Sequence, residues 1–281
     1  MKMYWKTGAE FRADHEAFRL GLVKYAVRGN NRLRADVQQV TPFFWEQNAA
    51  EMHYNNIYTR IALERQVNAQ IARELKSREG DLFMLSASPR QFRSDPETGA
   101  CPVEELQRWV ARRFLGLNYF GVIEGAWYGN YNEVPDFPRP YISWHCHVIV
   151  WGANSEQLRA IKEEINRTEQ GFVWDKKPGH FMKISRRNLF SRFRYLLKAP
   201  IKEYRLIKRK PERGAIGHNS QSKSGRTRKR DMRLGAAVRL MTIIGERPID
   251  DFIVAGWEGE EMRGRVLAKT RQVLERRKAR R

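Results

Sequence analysis

Tyr141-Ile-Ser-Trp-His-Cys-His-Val-Ile-Val-Trp151 is dense in aromatic and β-branched residues and holds neither Gly nor Pro, the composition of a strand. Residues two apart on a strand project from the same face. Ser143, His145, His147, Ile149 and Trp151 therefore share one side, and Ile142, Trp144, Cys146, Val148 and Val150 the other. Two imidazoles side by side on a rigid strand make half of a metal site. A metal that acts on phosphate also needs a carboxylate, and the preceding apolar run, Tyr119–Glu124, ends in one. Phe120, Val122 and Glu124 alternate on one face of that run. If the two strands pair as a hairpin, Glu124 can lie beside His145 and His147. The connection Gly125–Pro140 is too long to fix the register, so Glu133, Asp136 and His180 stay open as competing ligands.

Working outward, Glu16–Arg28 reads as helical and breaks at Gly29-Asn-Asn31. Glu51–Arg78 reads as one long helix, with Ile57, Ile61, Val67, Ile71 and Leu75 near helical spacing. Gly80 closes it before a buried strand, Asp81–Ala87. Pro102 opens a helix striped by Val103, Leu106, Val110 and Phe114, and Ser155 caps another carrying Leu158, Ile161 and Ile165. Phe172–Ile184 reads as a strand or hairpin, and Asn188–Lys198 as a short helix stopped by Pro200. The order β-α-β-β-α-β-α predicts an α+β fold with an antiparallel sheet flanked by helices. The expected organisation is a helical N-terminal extension over residues 1–80, a core over 81–207, a basic Gly/Ser-rich linker over 208–230 and a basic helical tail over 231–281.

On the Asn188–Lys198 helix, Leu189, Phe190, Phe193, Leu196 and Leu197 form one apolar arc. Tyr195 lies nearly opposite, with Arg192 and Lys198 one turn away on either side. A tyrosine serving the core would sit inside the stripe.

The 281-residue chain carries a net charge of +21. From Arg186 to Arg281 there are 28 Lys and Arg against 10 Asp and Glu, so the last 96 residues hold +18 of it. That asymmetry points to a polyanionic partner, most simply nucleic acid. No apolar run is long enough for a membrane span, and Met1-Lys-Met-Tyr-Trp-Lys6 lacks a signal-peptide core. Cys101 and Cys146 have no metal or redox spacing, which fits a reducing, cytoplasmic setting.

Together these segments resemble the HUH endonuclease superfamily of replication initiators, relaxases and single-strand transposases. The resemblance spans Asp81 to Tyr204. Leu82-Phe-Met-Leu-Ser-Ala-Ser88 is similar to the family's first motif, Glu124 with His145-Cys-His147 to the second, and Tyr195-Leu-Leu-Lys198 to the Tyr-x-x-Lys motif of rolling-circle initiators. The resemblance implies a ferredoxin- or RRM-like core and a Mg²⁺ or Mn²⁺ ion held by His145, His147 and Glu124. It implies a Tyr195 nucleophile assisted by Lys198, and nicking of single-stranded DNA through a 5′-phosphotyrosine. Tyr204, beyond Pro200, is expected off the Tyr195 face, so a single-tyrosine enzyme is expected. Arg192, Arg194, Trp127, Tyr128 and Tyr131 are the candidate DNA contacts, with Phe137 a further aromatic of the connection. No Gly-x-x-x-x-Gly-Lys-Ser/Thr segment is present, so a host helicase is the expected partner, in a plasmid or phage context. The alternatives are a single-tyrosine transposase or mobilisation relaxase, a non-catalytic single-stranded nucleic-acid binder, and a non-haem iron oxygenase using the same two-His, one-carboxylate set.

Overall fold

The computed structural model describes residues 7–129, 140–171, 176–208 and 225–280. Along the chain run α1 (Gly8–Ala26), α2 (Ala35–Val40), α3 (Ile57–Val67) and α4 (Arg73–Ser77). Then come β1 (Leu82–Ala87), β2 (Arg93–Ser94), α5 (Val103–Arg113), β3 (Asn118–Tyr128) and β4 (Tyr141–Trp151). The remainder is α6 (Ser155–Thr168), β5 (Gly179–Ile184), α7 (Leu189–Leu196), β6 (Lys202–Lys208), β7 (Gly225–Asp231), α8 (Leu234–Ile244), β8 (Ile253–Gly256) and α9 (Glu258–Ala279).

The fold is α+β, as expected, but the sheet is mixed. Its order is β5-β1-β4-β3-β6-β7, with β2 beside β4 and β8 beside β3. The pairings are antiparallel except one, the parallel contact of β6 with β3 at Tyr204 and Tyr128. That exception arises because α7 carries the chain across the sheet before β6 begins. The expected long helix starts later, at the Asn56 cap, and passes from α3 into α4 through a π-helical turn over Asn68–Ala72. Asn154, rather than Ser155, caps α6 by accepting from the Gln157 amide. Strand β3 runs four residues past Glu124, so Trp127 and Tyr128 belong to the sheet and not to a loop. Residues 225–230, assigned to the linker from the sequence, form β7 together with Asp231.

Residues 231–281, expected as a basic helical tail, pack against the rest of the described residues. They contribute β8 and bury Val238, Leu240, Ile253, Val266 and Leu274. They also bond to the N-terminal segment. The Asn55 amide donates to the Met241 and Gly245 carbonyls, the Tyr54 amide to Arg247 O, and the Ile249 amide to Met52 O. Both chain ends thus form one helical layer.

Alternation divides the sheet as the sequence implies. On the face away from the histidines, Trp109 of amphipathic α5 and Phe114 at its C-terminal cap pack toward Phe92 and Tyr119. On the histidine face, Phe193 of α7 meets Phe120, ring centroids 6.0 Å apart. On the opposite face Gly121 is paired with Val148, and a Cβ there would strike the His147 carbonyl and the Val148 main chain. Because the obstacle is backbone, it cannot swing aside. Gly121→Ala is therefore expected to lower unfolding free energy by about 2 kcal/mol or more in urea titration. An unchanged midpoint would show that the β3–β4 contact is looser than described.

Candidate metal centre

Pairing of β3 with β4 sets Glu124 directly opposite His145, and Val122 opposite His147. The hairpin thus settles the register that the sequence left open. Glu124 Oε1 lies 2.8 Å from His145 Nε2 and 3.3 Å from His147 Nε2. The other nitrogens are also engaged. His145 Nδ1 is 3.0 Å from the Ser143 carbonyl, and His147 Nδ1 is 2.6 Å from Ser86 Oγ on β1. His145 thus faces an acceptor at each ring nitrogen, the Ser143 carbonyl at Nδ1 and the Glu124 carboxylate at Nε2. With an ion bound, Nδ1 would keep its proton on the carbonyl and Nε2 would offer its lone pair to the metal. This outer support is how imidazole ligands are commonly oriented.

The three residues can hold a metal ion, their ligand atoms lying within 4.8 Å of one another. Bonds of about 2.1 Å at right angles separate ligand atoms by about 3 Å, close to both Glu–His distances. The donor set, two imidazoles and one carboxylate, leaves coordination positions for substrate oxygen or water.

Electrostatics match that role. Burial pushes the His147 pKa down to about 4 against the pull of Glu124, leaving a neutral ligand at pH 7. Burial alone would raise the Glu124 pKa. The Lys198 ammonium and both imidazoles outweigh it and hold the carboxyl well below its usual range. Lys198 is bonded to Glu124 Oε2, and despite its own burial its pKa is raised by Glu124 and Tyr195. The pair is ionised at neutral pH.

Tyr195 completes the cluster. Its ring lies 5.3 Å from the His147 ring, and Lys198 Nζ stands 4.2 Å from the Tyr195 centroid. Five expected residues, Glu124, His145, His147, Tyr195 and Lys198, are thus brought together. Others are not. Arg194 is buried, its Nε on Glu64 Oε1 at 2.7 Å, so α3 occupies the guanidinium proposed for DNA. Trp127 is buried on the opposite face of the sheet and cannot serve as a stacking surface. Arg192 is half-buried, and its Nε makes no hydrogen bond among the described residues. His180 is exposed on β5, opposite Ser86, and lies outside the metal cluster. Tyr131, Glu133, Asp136 and Phe137 lie outside the described residues. Tyr204 departs from expectation the other way. Strand β6 returns it to a cleft that Glu124, Tyr195, Lys198 and Lys229 also line.

Two residues that sequence reasoning did not single out hold the end of α7. Arg60 Nη1 donates to the Lys198 carbonyl at 2.9 Å, and the Ala199 amide donates to His15 Nε2 at 2.9 Å. His15 Nδ1 donates in turn to Phe11 O. Arg60 and His15 therefore position Lys198, and through it Glu124. The available signal was Arg60 and Glu64 lying within the apolar arc of α3, where an unpaired charge would be costly.

Compared with known proteins, the chain matches no family model, no curated protein and no solved structure.

Two outcomes follow from this geometry. Manganese at about 100 times its Kd should raise unfolding free energy by about 2.7 kcal/mol. The rise should vanish in a His145→Ala/His147→Ala variant; an equal rise there would place the ion elsewhere. The second concerns His15, whose pKa burial lowers from 6.5 to about 3. Between those values the unfolded chain binds a proton that the folded one refuses, so stability rises with pH across the window. It is complete above 6.5 and lost as pH falls toward 3. His15 alone then accounts for about 2–3 kcal/mol of loss between about pH 7 and 4.5. His15→Gln should flatten the profile of stability against pH by that amount, and an unaltered profile would refute the assignment.

Proposed function

We propose that the protein is a metal-assisted, single-tyrosine endonuclease and strand transferase acting on single-stranded DNA, of the rolling-circle initiator kind. The observation that carries this reading is Lys198, which touches both Glu124 of the metal cluster and the ring of Tyr195. A nucleophile candidate and a cation thus adjoin a two-His, one-carboxylate set. The motif order Glu124, His145-Cys-His147, Tyr195-x-x-Lys198 and the net charge of +21 agree with it.

Glu124, His145 and His147 would hold Mg²⁺ or Mn²⁺, with Mn²⁺ favoured by imidazole ligands. When bound, such an ion polarises a non-bridging phosphate oxygen, a contribution of several kcal/mol. A phenol of pKa about 10 is roughly one part in a thousand ionised at neutral pH. The Lys198 ammonium beside the Tyr195 ring favours the phenolate as its proton leaves to water. The Tyr195 oxygen attacks phosphorus in line, and the bond to the 3′ oxygen breaks. That oxygen takes a proton and departs as a 3′-hydroxyl, leaving the 5′-phosphate on tyrosine. The new ester keeps the phosphodiester energy, so a later 3′-hydroxyl can reverse the step and rejoin strands. A transposase or relaxase would use the same chemistry, and origin choice separates them.

The test uses 3′-labelled single-stranded oligonucleotides tiled across DNA surrounding the gene, because the 3′ fragment is the one that stays on tyrosine. Wild type with Mn²⁺ should yield a label-bearing protein band on a denaturing gel, absent without metal and absent in Tyr195→Phe. Tyr204→Phe should retain the band; a larger loss there would transfer the nucleophile to Tyr204. Tight, salt-sensitive binding with no band under any metal would leave a non-catalytic single-strand binder.

A further inference from the structure

One rank of the sheet, on the histidine face, is built from tyrosine. Tyr141 of β4 is paired with Tyr128 of β3, Tyr128 with Tyr204 of β6, and Tyr204 with Lys229 of β7. The Tyr128 and Tyr204 rings stack, centroids 5.1 Å apart and planes 20° from parallel. Cations stand at both ends. The Arg93 guanidinium lies 4.8 Å from the Tyr141 centroid, and Lys229 Nζ lies 5.6 Å from that of Tyr204. All five side chains are half-buried. Tyr128 is four residues from Glu124, about 13 Å along β3 at about 3.3 Å per residue. Tyr204 and Lys229 line a cleft that Glu124, Tyr195 and Lys198 also line, so this end of the rank borders the metal centre.

We propose that this rank, Arg93–Tyr141–Tyr128–Tyr204–Lys229, is a binding subsite for unpaired nucleotides of single-stranded DNA that flank the scissile phosphate. The proposal rests on the endonuclease reading and supplies its substrate track. Aromatic faces take bases with little regard to sequence, while cations take the phosphates between them. In the free protein Arg93 and Lys229 lie over the outermost rings by cation–π attraction. Both are long and flexible, so a base can take the ring face while the charged group turns to a phosphate. Cross-strand tyrosine pairs also stabilise a sheet. Sheet stability alone does not call for a cation at each end of the row, nor for one end of the row to line the cleft at Glu124.

The test is equilibrium binding by fluorescence anisotropy in EDTA, which needs no chemistry. Probes are a labelled oligothymidylate of about 20 nucleotides and an abasic strand of the same length and charge. Wild type should bind oligothymidylate about tenfold or more tighter than the abasic strand. Tyr141→Leu and Tyr204→Leu should each lose about tenfold on oligothymidylate and little on the abasic strand, and Tyr204→Phe should recover the loss. Arg93→Gln and Lys229→Gln should weaken both strands alike and each reduce the salt slope by about one. Equal wild-type affinity for the two strands would overturn the proposal without relying on any variant. So would leucine variants that keep the base preference. A missing covalent product with Mn²⁺ would instead defeat the endonuclease reading while leaving these affinities as they are, so the two failures are distinguishable.

Discussion

The arrangement depends on keeping one buried carboxylate charged. Glu124 is 8% exposed, and an ionised group removed from water is costly unless charges and hydrogen bonds replace the solvent. Its partners come from separate parts of the chain: His145 and His147 from β4, and Lys198 just beyond α7. Each must be held in turn. Ser86 of β1 meets His147, and the Ser143 carbonyl fixes His145. Arg60 and His15 hold the backbone around Lys198. Such a network adds little net stability, since desolvation offsets much of its Coulomb energy. Its consequence is geometric, because loss of any partner leaves a buried charge uncompensated.

The sheet strands around the site were legible in the sequence because period-two alternation is a local signal. His145 and His147 share a face for that reason alone, and Glu124 falls on the matching face of β3. The Tyr195 helix was legible by the same logic at period 3.6. Glu124 could be narrowed to a candidate but not assigned, because register depends on a hydrogen-bonded partner rather than on composition. The structure sets it opposite His145.

What the sequence concealed was long-range. Tyr204 reads as remote from Tyr195, since Pro200 ends the helix between them. The chain nevertheless turns there and enters a parallel pairing at Tyr128, which brings Tyr204 back to the cleft. Arg194 reads as a surface cation because nothing near it in sequence is acidic, and Glu64 lies 130 positions away. The first 80 residues look like an accessory extension. In the structure they supply the groups that brace Lys198, and they share a layer with α8 and α9.

Charge in the centre gives these placements a chemical meaning under the proposed reading. Glu124 and Lys198 cancel, and His147 is neutral at pH 7 because burial has lowered its pKa to about 4. With an ion bound, His145 would be a neutral ligand too, so the three ligands and Lys198 together would bring no net charge. A divalent ion held there makes the site +2. The reacting groups, one phosphodiester and one phenolate, together carry −2. Had Lys198 been absent, Glu124 would have left the site short by one positive charge. Had a second carboxylate replaced either histidine, the deficit would have been the same. The buried ion pair therefore does more than fix a helix end: it lets a carboxylate serve as ligand without reducing the charge presented to phosphate.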